Sequence, residues 1–182
     1  SLSAPLDTHD ISETLKYSGG MLAAAGGTID DDEGHNNEAG KELIEDYMGA
    51  VALFAQKGVK GSIAGTALRA FFNKPATQDK SVTDALGSIG LAPEDLWNDE
   101  ETMKPVSEQI GIIQRQMEAQ NVSKMDQMQI WSKIVGGKMG QQMMKLDSHD
   151  IQEMTTDILQ SISAENLANQ TFDTYNQRMS QI

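Results

Sequence analysis

The sequence predicts an all-α fold: a single domain over residues 1–182, built of about seven to nine short helices joined by Gly/Pro turns, with no sheet. Three observations carry that prediction. Apolar residues recur at three- and four-residue intervals along most of the chain, which is the period of one helix face. No stretch alternates apolar and polar residues as a half-buried strand does. Glycine or proline falls between the periodic segments, where a helix has to stop.

Composition narrows the function classes. The chain of 182 residues suits one domain with a modest core. It has no cysteine, which excludes disulfides and thiolate metal sites. Methionine is abundant and aromatic residues few, a mixture that packs adaptably. The formal net charge is −13, without the clustered Lys and Arg that displace counterions from a nucleic-acid backbone. This segment is therefore expected to bind no specific nucleic acid. No run of 18 apolar residues is present, so no membrane span is expected. The opening Ser-Leu-Ser-Ala-Pro has neither an initiator Met nor the basic-then-apolar order of a signal peptide, and reads as a cut within a longer polypeptide.

The first helix is expected over residues 7–25. Asp7 or Thr8 caps it, Ile11, Leu15, Met21 and Leu22 form its apolar stripe, and Gly19-Gly20 interrupts it. Residues 26–40 are the most polar part of the chain. Asp30, Asp31, Asp32, Glu33, His35 and Glu38 suggest a cation loop, but the calcium-loop pattern fails. Counting from Asp30, the fifth position is Gly34 and the twelfth is Lys41, where an oxygen ligand and a glutamate are required. A solvated surface insertion is expected instead.

A helix from Glu42 to Gln56 follows, with Leu43, Ile44, Tyr47 or Met48, Val51 and Phe54 on its inner face. Glu42, Glu45 and Asp46 are expected to face outward near its N-terminal end. It leads into a hairpin spanning Val51 to Phe72. Apolar Val51, Phe54 and Ala55 precede a stop at Lys57-Gly58, Gly61-Ser62 restarts the chain, and Ala64, Leu68, Phe71 and Phe72 form the next apolar face. Gly61 and Gly65, with the small Ala64, Thr66 and Ala67, are expected to let the two hairpin helices approach closely. Lys74-Pro75 is expected to end the second of them.

Ser81 to Ile89 form a short helix with Val82, Leu86 and Ile89 inward, closed by Gly87 and Gly90. Leu91 to Pro105 read as a long turn, which Trp97 pins to the core. Pro105 fits the first turn of a helix whose seam is Val106, Ile110, Ile113 and Met117, with Glu108, Arg115 and Glu118 off it. Ser123-x-x-Asp126 resembles a capping box and opens a helix carrying Met125, Met128, Trp131 and Ile134. Val135 to Gly140 lacks the spacing of a phosphate loop and follows a helix rather than a strand, so it reads as helix punctuation. Ser148 caps a helix with Ile151, Met154, Ile158, Leu159 and Ile162 inward. Ser163 or Ala164 starts the last helix, whose stripe is Leu167, Thr171, Tyr175 or Phe172, and Met179. With no cap at its end, residues 163–182 read as the start of a longer C-terminal helix.

Catalytic patterns are missing from the sequence. His9, His35 and His149 are scattered with no partner at a diagnostic spacing, and the serines sit at helix starts, where capping explains them. The expectation is no enzyme, no catalytic residue, no cofactor and no metal site.

The hairpin wording is more specific than its physics. KGVKGSIAGTALRAFF resembles a phrase in the N-terminal core region of phage tail tape measure proteins, matched here by Gly58, Val59, Lys60, Gly61, Ala64, Gly65, Thr66, Ala67, Leu68 and Arg69. Three further stretches are similar to the same family in the same order. The first runs through Leu15, Lys16, Tyr17, Gly20, Ala24 and Gly26. The second comprises Ala85-Leu86, Gly90-Leu91, Asp99 and Met103-Lys104-Pro105-Val106, although acidic residues replace the glycine usual within that loop. The third comprises Ile134, Val135, Gly136, Lys138, Met139, Gly140, Met143 and Leu146.

The resemblance runs from about Asp10 to about Arg178. It implies a structural segment of a tape measure protein of a long-tailed phage or prophage, a family that lies in the tail lumen, sets tail length during assembly in the host cytoplasm, and leaves ahead of the DNA. The implied partners are tail tube, tail tip and tail-assembly chaperone proteins, together with copies of itself. The implied site is the motif hairpin: Gly58, Lys60, Gly61, Ala64, Gly65, Thr66, Leu68 and Arg69. A reading of another class stays open, a generic helical interaction module of adaptor or chaperone-like kind, unrelated to tails.

Overall fold

The computed structural model describes Leu22 and residues 38–59, 61–76, 79–161 and 164–181. The expected first helix, apart from the helical and fully buried Leu22, and residues 26–37 of the expected polar insertion lie outside the described residues. Glu38, Ala39 and Gly40, expected in that insertion, are helical instead. Lys60, Ile162 and the side chain of Leu167 also lie outside them.

The elements are α1 (Glu38–Gln56), α2 (Gly61–Ala76), α3 (Lys80–Gly87), a 3-10 turn (Pro93–Leu96), α4 (Val106–Ala119), α5 (Lys124–Val135), α6 (Met139–Met143), α7 (Ser148–Ser161) and α8 (Ala164–Met179). Among the described residues there is no strand, and the one isolated bridge pairs Trp97 with Met103. The fold is all-α, as the three-four spacing predicts.

Helix α1 is the axis of the core. From Asp46 to Phe54 every residue is buried, so the helix is enclosed rather than laid on a surface. Its most extensive partner is α7, distant in sequence, and α4 packs against both. On the other side α2 packs against α5 and α6, and α5 against α3. A chain of aromatic rings joins the two sides. Tyr47 of α1 lies 6.2 Å from Phe72, Phe72 lies 6.0 Å from Phe71, and Phe71 lies 5.9 Å from Trp131 of α5. These tilted and edge-on arrangements suit the ring quadrupoles.

Three turns share one stop signal. At Gly58 (φ +78°) the amide of Val59 bonds the Phe54 carbonyl at 2.9 Å, and Gly58's own amide bonds that of Ala55 at 3.0 Å. At Gly90 (φ +81°) the amide of Leu91 reaches the Leu86 carbonyl at 2.9 Å, and at Asn121 (φ 52°) that of Val122 reaches Met117 at 3.0 Å. Each is a Schellman motif with a left-handed residue just past the helix end. Asn121, not foreseen as a stop, does the same work as the glycines because Asn tolerates that conformation better than most side chains.

Several boundaries differ from expectation. Helix α1 begins at Glu38, four residues early, and α2 runs past Pro75 to Ala76. A proline in the final turn forfeits one amide bond of the ladder, with little helix left beyond it. Pro105 sits at the N-cap of α4 rather than in its first turn. The cap of α7 is Asp147, whose Oδ1 accepts the Asp150 amide at 3.1 Å, while Ser148 is already the first helical residue. His149 is exposed and faces Glu153 one turn on, at 3.5 Å. After α8 the chain turns at Ser180 and Gln181.

Burial also departs in places. Trp131 and Ile134 of α5 are buried, but Met125 and Met128 are 69% and 39% exposed. They lie in the first turns of α5, outside the stretch that faces α2 and α3. Ala55 is likewise exposed, because the buried stretch of α1 ends at Phe54.

Candidate functional site

The polar feature that the fold builds most fully lies where α1, α4 and α7 meet. Asp46, expected to face outward, is 6% exposed. The central position of α1 leaves it no solvent face at that level. The carboxylate is matched by an equally specific need. Helix α4 opens with exposed amide donors that its N-cap, Pro105, cannot satisfy with a side chain. Asp46 Oδ2 accepts the Ser107 amide at 2.9 Å, and Oδ1 accepts the Ser107 hydroxyl. An acid on one helix thus caps another.

A cleft of about 260 Å³ opens beside this pair. Glu42 and Glu45 of α1 and Glu108 of α4 line it with Asp46, and α7 contributes Gln152, Thr155 and Thr156. Burial pushes the Asp46 carboxyl up to about 6, against the pull of its bonds from Ser107, with Glu108 and Glu42 adding to the rise. Half-buried Glu45 is also raised, chiefly by burial, with Lys41 opposing. The Ser107 hydroxyl donates to the Asp46 carboxyl group, and no His lines the cleft among the described residues. Among the described residues no group of three or more His, Cys, Asp and Glu side chains is disposed to hold a metal ion.

The motif hairpin divides into two rows. Ala64, Gly65 and Leu68 are buried, whereas Gly61, Thr66 and Arg69 are exposed, and the Thr66 hydroxyl donates to the Ser62 carbonyl at 2.8 Å. Gly58 is exposed and forms the left-handed cap of α1; Lys60 lies outside the described residues. Ile63, beside the exposed row, is 37% exposed.

Two close helix approaches fall at glycines that the hairpin reading did not select for that role. A Cβ at Gly49 would collide with Thr155 Oγ1 and lie 2.8 Å from the Ile151 carbonyl oxygen, so Gly49 lets α1 lie against α7. A Cβ at Gly140 would lie 2.7 Å from the Ser132 amide nitrogen, so Gly140 lets α6 fold back on α5. The signal for Gly49 was present: a glycine in the middle of an apolar helical run costs about 1 kcal/mol against alanine and calls for a packing reason.

Among the described residues no helix is long and apolar enough to cross a membrane. No curated protein and no solved structure matches the chain at a significant level. The family model for the phage-related minor tail protein matches residues 3–136, which takes in the motif hairpin, both Asp46 and Ser107, and the helices from α1 to α5. The chain belongs to the phage-related minor tail protein family.

Proposed function

We propose that the chain is a compact segment of a tail tape measure protein, acting in tail assembly, tail-length determination and genome delivery. The observation that carries the reading is the family match over residues 3–136 together with the collinear tape-measure phrases, the hairpin phrase Gly58 to Arg69 foremost. The role is structural rather than catalytic, and no cofactor enters it. The segment is not itself the ruler. Its longest described helix, α1, has 19 residues, about 28 Å at 1.5 Å per residue. The stops at Gly58, Gly90 and Asn121 keep the helices short and fold them back on one another. Its work is contact-making, with copies of itself and with tail tube, tail tip and tail-assembly chaperone proteins. Its place is the tail lumen, after assembly in the host cytoplasm. A net charge of −13 argues against a hold on the DNA that shares that lumen.

Gene neighbourhood tests the reading. The expected result is a very long reading frame running past Ile182 beside tail tube and tail-chaperone genes. A frame that closes near Ile182 removes the tape-measure assignment and leaves a smaller tail component.

A further inference from the structure

We propose that the junction of α1, α4 and α7 is a proton-operated latch, tight while Asp46 carries a proton and loosened when it ionises. The inference stands on the junction itself and is independent of the tape-measure assignment. Among the described residues Asp46 is the one buried carboxyl group, and it sits where three helices converge. One turn along α1, Gly49 is pressed against Thr155 and Ile151 of α7; one turn along α4, Gly111 lies against Ser148, with 3.0 Å from its Cβ position to the Ser148 hydroxyl. The three helices are thus locked on the far side of Asp46, and a change at the carboxyl bears on a close-packed junction.

Among the described residues, the charges that face Asp46 share one sign. Glu42 and Glu45 approach along α1 and Glu108 from α4, while α7 presents Gln152, Thr155 and Thr156, none of them titratable. Among the described residues no Lys or Arg lines the cleft, and Lys41 acts on Glu45 rather than on Asp46. Ionising Asp46 therefore adds a fourth negative charge in a partly desolvated space. The Ser107 amide and hydroxyl and the helix N-terminus soften that cost without cancelling it, since burial is the larger influence. A protonated carboxyl group retains a carbonyl oxygen that can accept the Ser107 amide, so the main change on ionisation is the electrostatic load on the junction.

The sign follows from linkage. The carboxyl is raised from 3.8 to about 6 on folding, so between those values the folded chain holds more protons than the unfolded one. The stability this contributes is complete below the lower value and is lost as pH rises through the upper. Most folds that rely on ionised carboxylates behave the opposite way in this range.

The test is thermal melting of the 182-residue chain at pH 5 and pH 7.5, alongside Asp46→Asn and the control Glu118→Gln, an exposed carboxylate of α4 outside the cleft. Asn keeps an acceptor for the Ser107 amide and cannot ionise. The parent is expected to melt roughly 3–5 °C lower at pH 7.5 than at pH 5. Asp46→Asn should lose most of that difference and Glu118→Gln should keep most of it. Equal slopes in the parent and in Asp46→Asn overturn the latch, as does a parent that gains stability with pH. If Asp46→Asn does not fold, a carboxyl carbon NMR titration of the parent decides. A midpoint near 6 for Asp46 that coincides with faster amide exchange along α1 and α4, after correction for the intrinsic rate, supports the latch. A midpoint near the ordinary value of about 4 overturns it.

Discussion

The Ser107 amide, at the second residue of α4, donates to Asp46 on α1 across 61 residues of sequence, and this bond stands in for the cap that Pro105 cannot make. A helix start is thereby tied to the central helix of the core. Replacing Ser107 with Ala removes the hydroxyl bond and leaves Asp46 Oδ1 buried without a partner. The expected cost at pH 7.5 is about 1–3 kcal/mol, read as a lower urea midpoint with the denaturant slope unchanged. An unchanged midpoint would mean that the hydroxyl bond is idle.

Gly49→Ala tests the approach of α1 to α7. Alanine gains about 1 kcal/mol of helix propensity, but its methyl group meets Thr155 Oγ1 and the Ile151 carbonyl oxygen. Overpacking of this kind costs about 1–3 kcal/mol, so a net loss is expected. Thr155→Ala removes one of the two colliding groups and should recover part of the loss in a double-mutant cycle. Independent, additive effects of the two changes would sink the assignment.

Gly140→Ala should resist rescue. Here the Ser132 hydroxyl lies 2.6 Å away, but its amide nitrogen and Cα lie almost as close, at 2.7 Å and 2.9 Å, and no side-chain change can withdraw a backbone. Melting temperature is expected to fall, and still to fall when residue 132 is Ala, because the backbone contacts remain.

Gly58→Ala separates conformation from packing. No atom lies within 4 Å of a Cβ at that position, yet its φ of +78° is disfavoured for any side chain by about 1–2 kcal/mol. A stability loss of that order, measured by chemical denaturation, is expected despite the open space around it. At the nearby Gly65, which is buried, the mechanism is the other one. Gly65→Leu is expected to lower the melting temperature by overpacking, and a melting temperature at or above the parent's would mark that row as a binding surface instead.

Peroxide should oxidise the methionines in the order of their exposure. Met125 and Met128, 69% and 39% exposed, are expected to form sulfoxide well before Met48, Met103, Met117 and Met143, all 2% exposed or less. Peptide mass spectrometry at graded peroxide doses gives the order. Early oxidation of Met143 would show that α6 opens from α5.

The seam Val106, Ile110, Ile113 and Met117 was fully legible in the sequence, and all four residues are buried. So were the stops at Gly58 and Gly90 and the cap at Ser123, whose hydroxyl accepts the Asp126 amide at 3.1 Å. Each of these depends on residues within one or two helical turns, where spacing and backbone preference act directly. The family phrases belong with them, because they are local wording.

Asp46, Gly49 and the exposed methionines were decided elsewhere. Periodicity reports which face of a helix is apolar, but not whether the opposite face meets water or another helix. Helix α1 is enclosed because α7 and α4, far along the chain, close over the face on which Asp46 and Gly49 lie. Only that closure turns an ordinary-looking acid into a buried cap and a mid-helix glycine into a contact point. The burial that lifts the Asp46 carboxyl goes with its packing against α4, whose Ser107 lies 61 residues away, and no spacing rule within α1 contains that contact.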